Sequence, residues 1–332
     1  MHWKLKVSGY GKIKSAEIEV RPLTLFVGDN NSGKSYLMSL LWGIQNFGVE
    51  GLLGRDIWKA KGTSIVADWI KKQALKAWRQ GNHTVGVSEI ADQLQSVLQE
   101  GLNYNKDKLV ERIFNSRDVR LKELQIELIG LEKVFLDCVK QETGGVSIEI
   151  NYEKGDRFFL PDSFLEKMDK PEDSVRDLVL TYTTFSLIMG IPVDEENGVV
   201  NRNIYFPAAR TGFMLTKDII NKVGRNTVFN LVGTESREIS PFTRPINQFL
   251  DVMNDLTLDG RGDDALIPIV EYLENGMAEG NIEISPLPNR EVSYVPSGQK
   301  KGLPLRVVSA VVTELSPLIL ILKYREYLDM LF

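Results

Sequence analysis

The sequence predicts an α/β protein with a mixed sheet, an antiparallel portion at the N-terminus and a helical subdomain inserted after the first helix. Three observations carry that prediction. Leu5, Val7, Ile13, Ala16, Ile18 and Val20 recur largely at period two around the turn "SGYG", the spacing of side chains on one face of a strand. "LTLFVG" is a short apolar run ending in glycine, and Leu37, Leu40, Leu41 and Ile44 follow at helical spacing. From about residue 50 to 140 the pattern becomes mixed charged and apolar, as in amphipathic helices.

Taken in order, the chain opens with an antiparallel hairpin. "LTLFVG" reads as a buried parallel strand, and a glycine turn leads from it into a helix over Ser35–Phe47. "VSEIADQLQSVLQEGL" and "DVRLKELQIELIGLEKVFLDCV" both read as amphipathic helices. In the second, Leu121, Leu124, Ile126, Leu128, Leu131 and Val134 last only about three heptads, too short for a long coiled coil. Strands return at "VSIEINY" and "RFFLP", a helix is expected from Ser174 to Met189, and "GIPVDEENG" is a loop punctuated by Pro and Gly. "NIYFPAAR" reads as a strand running into a turn, "PFTRPINQFLDVMNDL" and "DALIPIVEYLENGMAEG" as helices, and "NIEISPL" as a strand. The apolar stretch Leu303–Leu322 is broken by Arg306, Glu314 and Pro317, which favours a buried helix over a membrane span. There are no internal repeats. The chain divides into residues 1–49, a mainly helical insertion 50–200, and a C-terminal part 201–332.

Composition narrows the function. A chain of 332 residues that is 43% hydrophobic can build a sizeable core. The net charge of -5 gives no global reason to bind DNA, although a local basic patch can sit in an acidic whole. Cys138 is the single cysteine, so it forms no internal disulfide and reads as a packed thiol in a reducing compartment. The N-terminus alternates charged and apolar residues without a signal-peptide core, and no stretch reaches about 18 uninterrupted apolar residues. The expected location is the cytoplasm, with no membrane association.

The most specific motif is Gly28-Asp29-Asn30-Asn31-Ser32-Gly33-Lys34-Ser35, which matches G-x-x-x-x-G-K-[ST] at every fixed position. Such a loop curls so that successive N–H groups point inward, toward the same cavity as the positive end of the following helix. Gly28, Asn30, Asn31, Ser32 and Gly33 would form the cradle. Lys34 would reach the β and γ phosphates of ATP, and Ser35 would complete the coordination of Mg²⁺. Hydrolysis also needs an acidic residue at the end of a second buried strand. Asp194 and Glu195 follow an apolar run in "SLIMGIPVDEE", but Gly190 and Pro192 make that run a poor central strand. A second segment, "VPSGQKKGLPL", places Ser297-Gly298-Gln299 before a basic pair and an apolar helix. It could present a hydroxyl and N–H groups to an anion at a helix start, or be a plain Pro-Ser-Gly loop. His2 and His83 have no catalytic company and read as surface residues. Gln45 sits on the helix after the loop, so it takes no water-positioning role.

"LKVSGYGKIKSAEIEV", "RPLTLFVGDNNSGKSYLMSLLW", "YFPAARTGF" and "SYVPSGQKKGLPLRVVSAVVTEL" together resemble the ABC-type ATPases of the bacterial AAA group. These are P-loop NTPases related to the overcoming-lysogenization-defect (OLD) ATPases. The resemblance spans both ends of the chain and is weakest through the helical insertion. It implies heads that form a homodimer through composite nucleotide sites, with Ser297 and Gly298 of one protomer capping the phosphate held at Lys34 and Ser35 of the other. It also suggests a place near the nucleotide for Arg210, for which pairing with a local carboxylate is the simpler alternative. In the family an apolar strand ending in acidic residues follows the signature helix. Here "REYLDMLF" begins such a run, so the catalytic residues remain unknown and the family's acidic strand is expected beyond Phe332. The implied function is an ATP-binding head whose nucleotide-dependent dimerisation controls a protein partner or effector, in anti-phage defence or DNA maintenance. The alternative is a nucleotide-gated interaction or scaffold protein that does not hydrolyse ATP.

Overall fold

The computed structural model describes residues 3–21, 23–150, 157–168, 174–193, 203–216, 242–256, 264–285, 291–325 and 330–331. The chain forms two compact units, Met1–Gly198 and Val199–Phe332, and the described residues combine helices with mainly antiparallel sheets.

In the first unit, β1 (Trp3–Tyr10) and β2 (Ile13–Glu19) form the expected hairpin, with Val7 opposite Ala16 and Tyr10 opposite Ile13. Trp3, Leu5 and Val7 are buried on one face of β1, as its period-two pattern requires, and Tyr10, beyond Gly9 at φ 59, is buried at the end of the strand. The other neighbour of β1 corrects the sequence reading. Leu121–Leu128, expected within an amphipathic helix, is β4, antiparallel to β1 with Leu5 opposite Ile126 and Val7 opposite Leu124. Phe135–Lys140, at the end of the same expected helix, is β5. Leu121, Leu124, Leu128 and Leu131 fit a helical period by chance, whereas Leu124, Ile126 and Leu128 fit a strand. Pairing with β1 decides between the two.

Beneath the β2-β1-β4 sheet lies α4 (Ala91–Phe114), the expected helix of "VSEIADQLQSVLQEGL", and α1 (Lys34–Asn46) and α2 (Gly48–Leu53) pack on it. Gly43 permits the close approach of α1 to α4, because a Cβ there would lie 2.6 Å from the Ile113 side chain. A second sheet, in the order β3 (His83–Gly86), β5, β6 (Val146–Ile150), β7 (Arg157–Leu160), is antiparallel throughout. Helix α3 (Thr63–Gln80) packs on β5 and β6 and on the later helix α6 (Ser174–Met189), while the short α5 (Asp162–Met168) joins β7 to the helical layer. Trp3 donates its indole N–H to Met189 O at 3.3 Å, tying β1 to the end of α6. Cys138 is buried in β5, and burial pushes its thiol up to about 12, the state of a packed and unreactive sulfur.

In the second unit, β8 (Asn203–Ile204) pairs in parallel with β12 (Met330–Leu331), Leu331 opposite Ile204. Between them in sequence come α7 (Arg244–Asp255), α8 (Ile267–Glu271) running into a π-helical segment Tyr272–Ala278, and an antiparallel sheet of β9 (Gly280–Ile284), β10 (Val292–Pro296) and β11 (Leu303–Pro304). The apolar stretch that follows is α9 (Ala310–Tyr324), whose Ile319, Leu320 and Ile321 are fully buried in one core with Phe249 and Ile282. Lys323 on α9 bonds Glu274 at 3.0 Å and Ile282 O at 3.0 Å, so the nearly buried carboxylate of Glu274 is both paired and hydrogen-bonded. No described helix is long and apolar enough to cross a membrane.

Candidate nucleotide-binding site

Helix α1 begins at Lys34 behind an N-cap glycine, Gly33, that supplies no side-chain cap, and its first turn carries no acidic residue. Its first internal bond runs from Leu37 N to Gly33 O, leaving the preceding N–H groups at the positive end of a 13-residue helix. Gly33 has φ 101, a left-handed conformation that costs other residues about 1–2 kcal/mol. A Cβ there would also meet Ile13 at 2.6 Å. The hairpin therefore fixes the loop, since Ile13 of β2 rests on Gly33. Tyr36 meets the Tyr10 ring edge to face and the Phe114 ring at a tilt, at centroid distances of 5.4 and 5.0 Å, holding the helix start between β1 and α4. Asn31 has φ 62, a left-handed turn that asparagine tolerates better than most residues.

Within this turn Lys34 Nζ donates to Gly28 O at 2.7 Å, to Asp29 O at 2.6 Å and to Ser32 Oγ at 3.2 Å. An ammonium has three protons, and the loop supplies three acceptors. The lysine thereby draws the loop around its own charge. Asn30, Asn31, Ser32 and Ser35 are all exposed around it. A cation, unclaimed helix N–H groups and the Ser35 hydroxyl beside them fit a polyphosphate carrying a divalent metal.

The run leading into this loop differs from expectation. Residues 23–28 form no strand, and Leu23, Leu25 and Val27 are 77%, 75% and 89% exposed. A strand is completed by hydrogen bonds to its neighbours, and no described strand pairs with this segment.

The later motifs belong to the second unit. Ser297 and Gly298 are the central residues of a tight turn closing the β10–β11 hairpin, with Gln299 N donating to Pro296 O at 3.0 Å and Gly298 at φ 78. Glycine at that position suits a type II turn. Ser297 N donates to Glu279 O at 2.9 Å, so the N–H groups of Ser297 and Gln299 are both engaged. The expected helix start is not here. It lies at Ser309, whose Oγ accepts from Val312 N at 3.3 Å as the N-cap of α9. The serine directly before the apolar run "AVVTEL" was the available sequence signal. Arg210 opens the helical stretch after β8, lies 4.9 Å from the Phe206 ring, donates through Nε to Glu314 O at 3.1 Å and sits 3.7 Å from the Glu314 carboxylate. The local carboxylate pairing is therefore made. Asp194 and Glu195 lie outside the described residues, as do His2 and Phe332. His83 is half-buried, 3.1 Å from Gln73 Oε1, and its pKa is lowered by desolvation and by nearby Lys76. Among the described residues no group of three or more His, Cys, Asp or Glu is placed to hold a metal ion.

Residues 1–115 match the family model of the AAA ATPase domain. The matched segment holds the β1–β2 hairpin, the lysine loop and helices α1 to α4, and it ends at Asn115, the left-handed C-cap of α4. This part of the chain is thus similar to a domain that binds nucleotide, usually with a divalent metal. No curated protein and no solved structure matches the chain.

Proposed function

We propose that the chain is a cytoplasmic ABC-type ATPase head of the OLD-like kind, binding ATP with Mg²⁺ at Gly28–Ser35 and using nucleotide-dependent homodimerisation to control a protein effector. The observation that carries it is the Lys34 ammonium held by Gly28 O and Asp29 O at the uncapped start of α1. In that role Gly28, Asn30, Asn31, Ser32 and Gly33 cradle the phosphates, Lys34 neutralises their charge and Ser35 supplies a metal ligand. Bound Mg²⁺ would offset further phosphate charge. The loop's own contribution is to hold cation and N–H donors in place before the ligand arrives, which reduces the ordering cost of binding.

Ser297 and Gly298 cap the nucleotide of a second protomer in this proposal, at an exposed hairpin turn, and Arg210, which donates to Glu314 O on α9, takes a place near that nucleotide. Because the N–H groups of Ser297 and Gln299 are engaged, the Ser297 hydroxyl has the main part. Sedimentation with a non-hydrolysable ATP analogue tests it. Ser297→Ala is expected to weaken nucleotide-dependent dimerisation while leaving first binding near wild type. Equal loss of both contradicts the trans contact, and loss confined to Ser309→Ala moves that contact to the start of α9. ATP turnover that rises with dimer formation supports the ATPase over the non-hydrolysing scaffold; dimerisation without turnover reverses that choice.

A further inference from the structure

The outer face of α8 and of the π-helical segment that continues it is apolar, where a surface helix is ordinarily polar. The inner face is fully engaged. Val270, Leu273 and Ala278 are buried in the core of the second unit. The Glu274 carboxylate accepts from Ile282 N at 2.8 Å and pairs with Lys323 at 3.0 Å, and Tyr294 donates its hydroxyl to Ala278 O at 2.7 Å. On the opposite side Ile269, Tyr272 and Gly276 follow at i, i+3 and i+7, the spacing of one helix face. Tyr272 is 67% exposed, Ile269 48% and the neighbouring Met277 45%. The Tyr272 ring lies along Gly276, 3.6 Å from where a Cβ would stand, so an aromatic ridge runs beside bare backbone.

Charge selects what this face receives. Between Arg261 and Arg290 the sequence contains no lysine or arginine. Asp264, Glu271 and Glu279, before, within and after the segment, are exposed and make no ion pair among the described residues. An anionic rim repels nucleic acid and the acidic leaflet of a membrane, whose amphipathic ligands carry lysine and arginine. It also opposes a two-fold contact with a second copy, because isologous pairing lays the same rim against itself. Backbone N–H groups within a helix are bonded internally, so a strand has no edge to join here. A helix whose apolar stripe is flanked by cations meets both demands, packing on the apolar face and pairing with the rim. Tyrosine and methionine are enriched at the cores of protein interfaces, and Gly276 lets a facing helix come close beside the Tyr272 ring.

We infer that the outer face of α8 and its π-helical continuation, centred on Tyr272, docks a basic amphipathic helix of a partner protein. Because the segment is pinned through Glu274 and Ala278, the face is formed before the partner arrives, which lowers the ordering cost of docking. Calling that partner the effector rests on the function proposed above; the surface itself does not. Fluorescence anisotropy of a labelled amphipathic peptide of leucine and lysine, about 18 residues long so that it can hold a helix, titrated with the full chain, tests it. This peptide is expected to bind, and a matching peptide of leucine and glutamate is not. Tyr272→Ser should weaken binding at least about tenfold, as loss of an interface anchor does. Glu271→Lys/Glu279→Lys should weaken it roughly fivefold through the rim. Both variants should keep the wild-type circular dichroism spectrum and ATP affinity, and Lys34→Ala should bind the peptide like wild type, so failure of this surface and failure at Gly28–Ser35 are read separately. No peptide binding, equal affinity of wild type and Tyr272→Ser, or equal affinity for the two peptides would overturn the assignment. Competition by phosphatidylcholine vesicles would overturn it in favour of a membrane, and self-association in sedimentation that Tyr272→Ser abolishes would overturn it in favour of a second copy.

Discussion

Gly33 shows how one residue joins hairpin, loop and helix. Its left-handed backbone and the 2.6 Å approach of Ile13 to a would-be Cβ are separate demands, and only glycine meets both. Gly33→Ala is therefore expected to lower stability by at least about 1–2 kcal/mol from the backbone alone, and to weaken nucleotide binding as Ile13 and the loop separate. Thermal unfolding and nucleotide titration of the same variant read the two effects; an unchanged melting temperature would show that the loop relaxes without the hairpin. At this scale the sequence was most legible for the cradle itself. The G-x-x-x-x-G-K-[ST] spacing names its residues, whereas the packing of Ile13 and Tyr36 on the cradle depends on contacts that spacing does not encode. Ser309 was legible in principle, as a serine before an apolar run, but the Ser-Gly pair at 297–298 drew the helix start away from it.

Elements were legible where local pattern and tertiary environment agree. The β1–β2 hairpin and α6 (Ser174–Met189) lie where periodicity placed them. Disagreement occurred where neighbours decide. β4 exists because β1 offers it an edge, and the apolar 23–28 run pairs with no described strand and forms none. The end of α2 is another tertiary effect. Its C-terminal carbonyls, Gly51 O and Leu52 O, accept from Asn105 Nδ2 at 2.7 and 3.1 Å, so a buried side chain of α4 caps a helix distant in sequence. Asn105→Ala should cost about 1–3 kcal/mol, the penalty for stranding buried polar groups. Chemical denaturation checks it, and a loss below measurement error would mean that water replaces the amide. Neither this cap nor the Gly43 contact between α1 and α4 has a signature in either helix alone.

On the scale of the whole molecule, two units carry different parts of the proposed cycle. The first holds the lysine loop, and the AAA ATPase match covers its first 115 residues; the second holds Ser297, Gly298 and Arg210. The central claim remains the nucleotide loop, and calorimetric titration of ATP with Mg²⁺ into wild type and Lys34→Ala tests it most directly. Losing a charged hydrogen-bond donor to phosphate costs about 1.5–3 kcal/mol, so affinity should fall by roughly ten- to a hundredfold, with the circular dichroism spectrum unchanged. A folded wild type that takes up no ATP, or a Lys34→Ala protein that binds it equally well, would contradict the account.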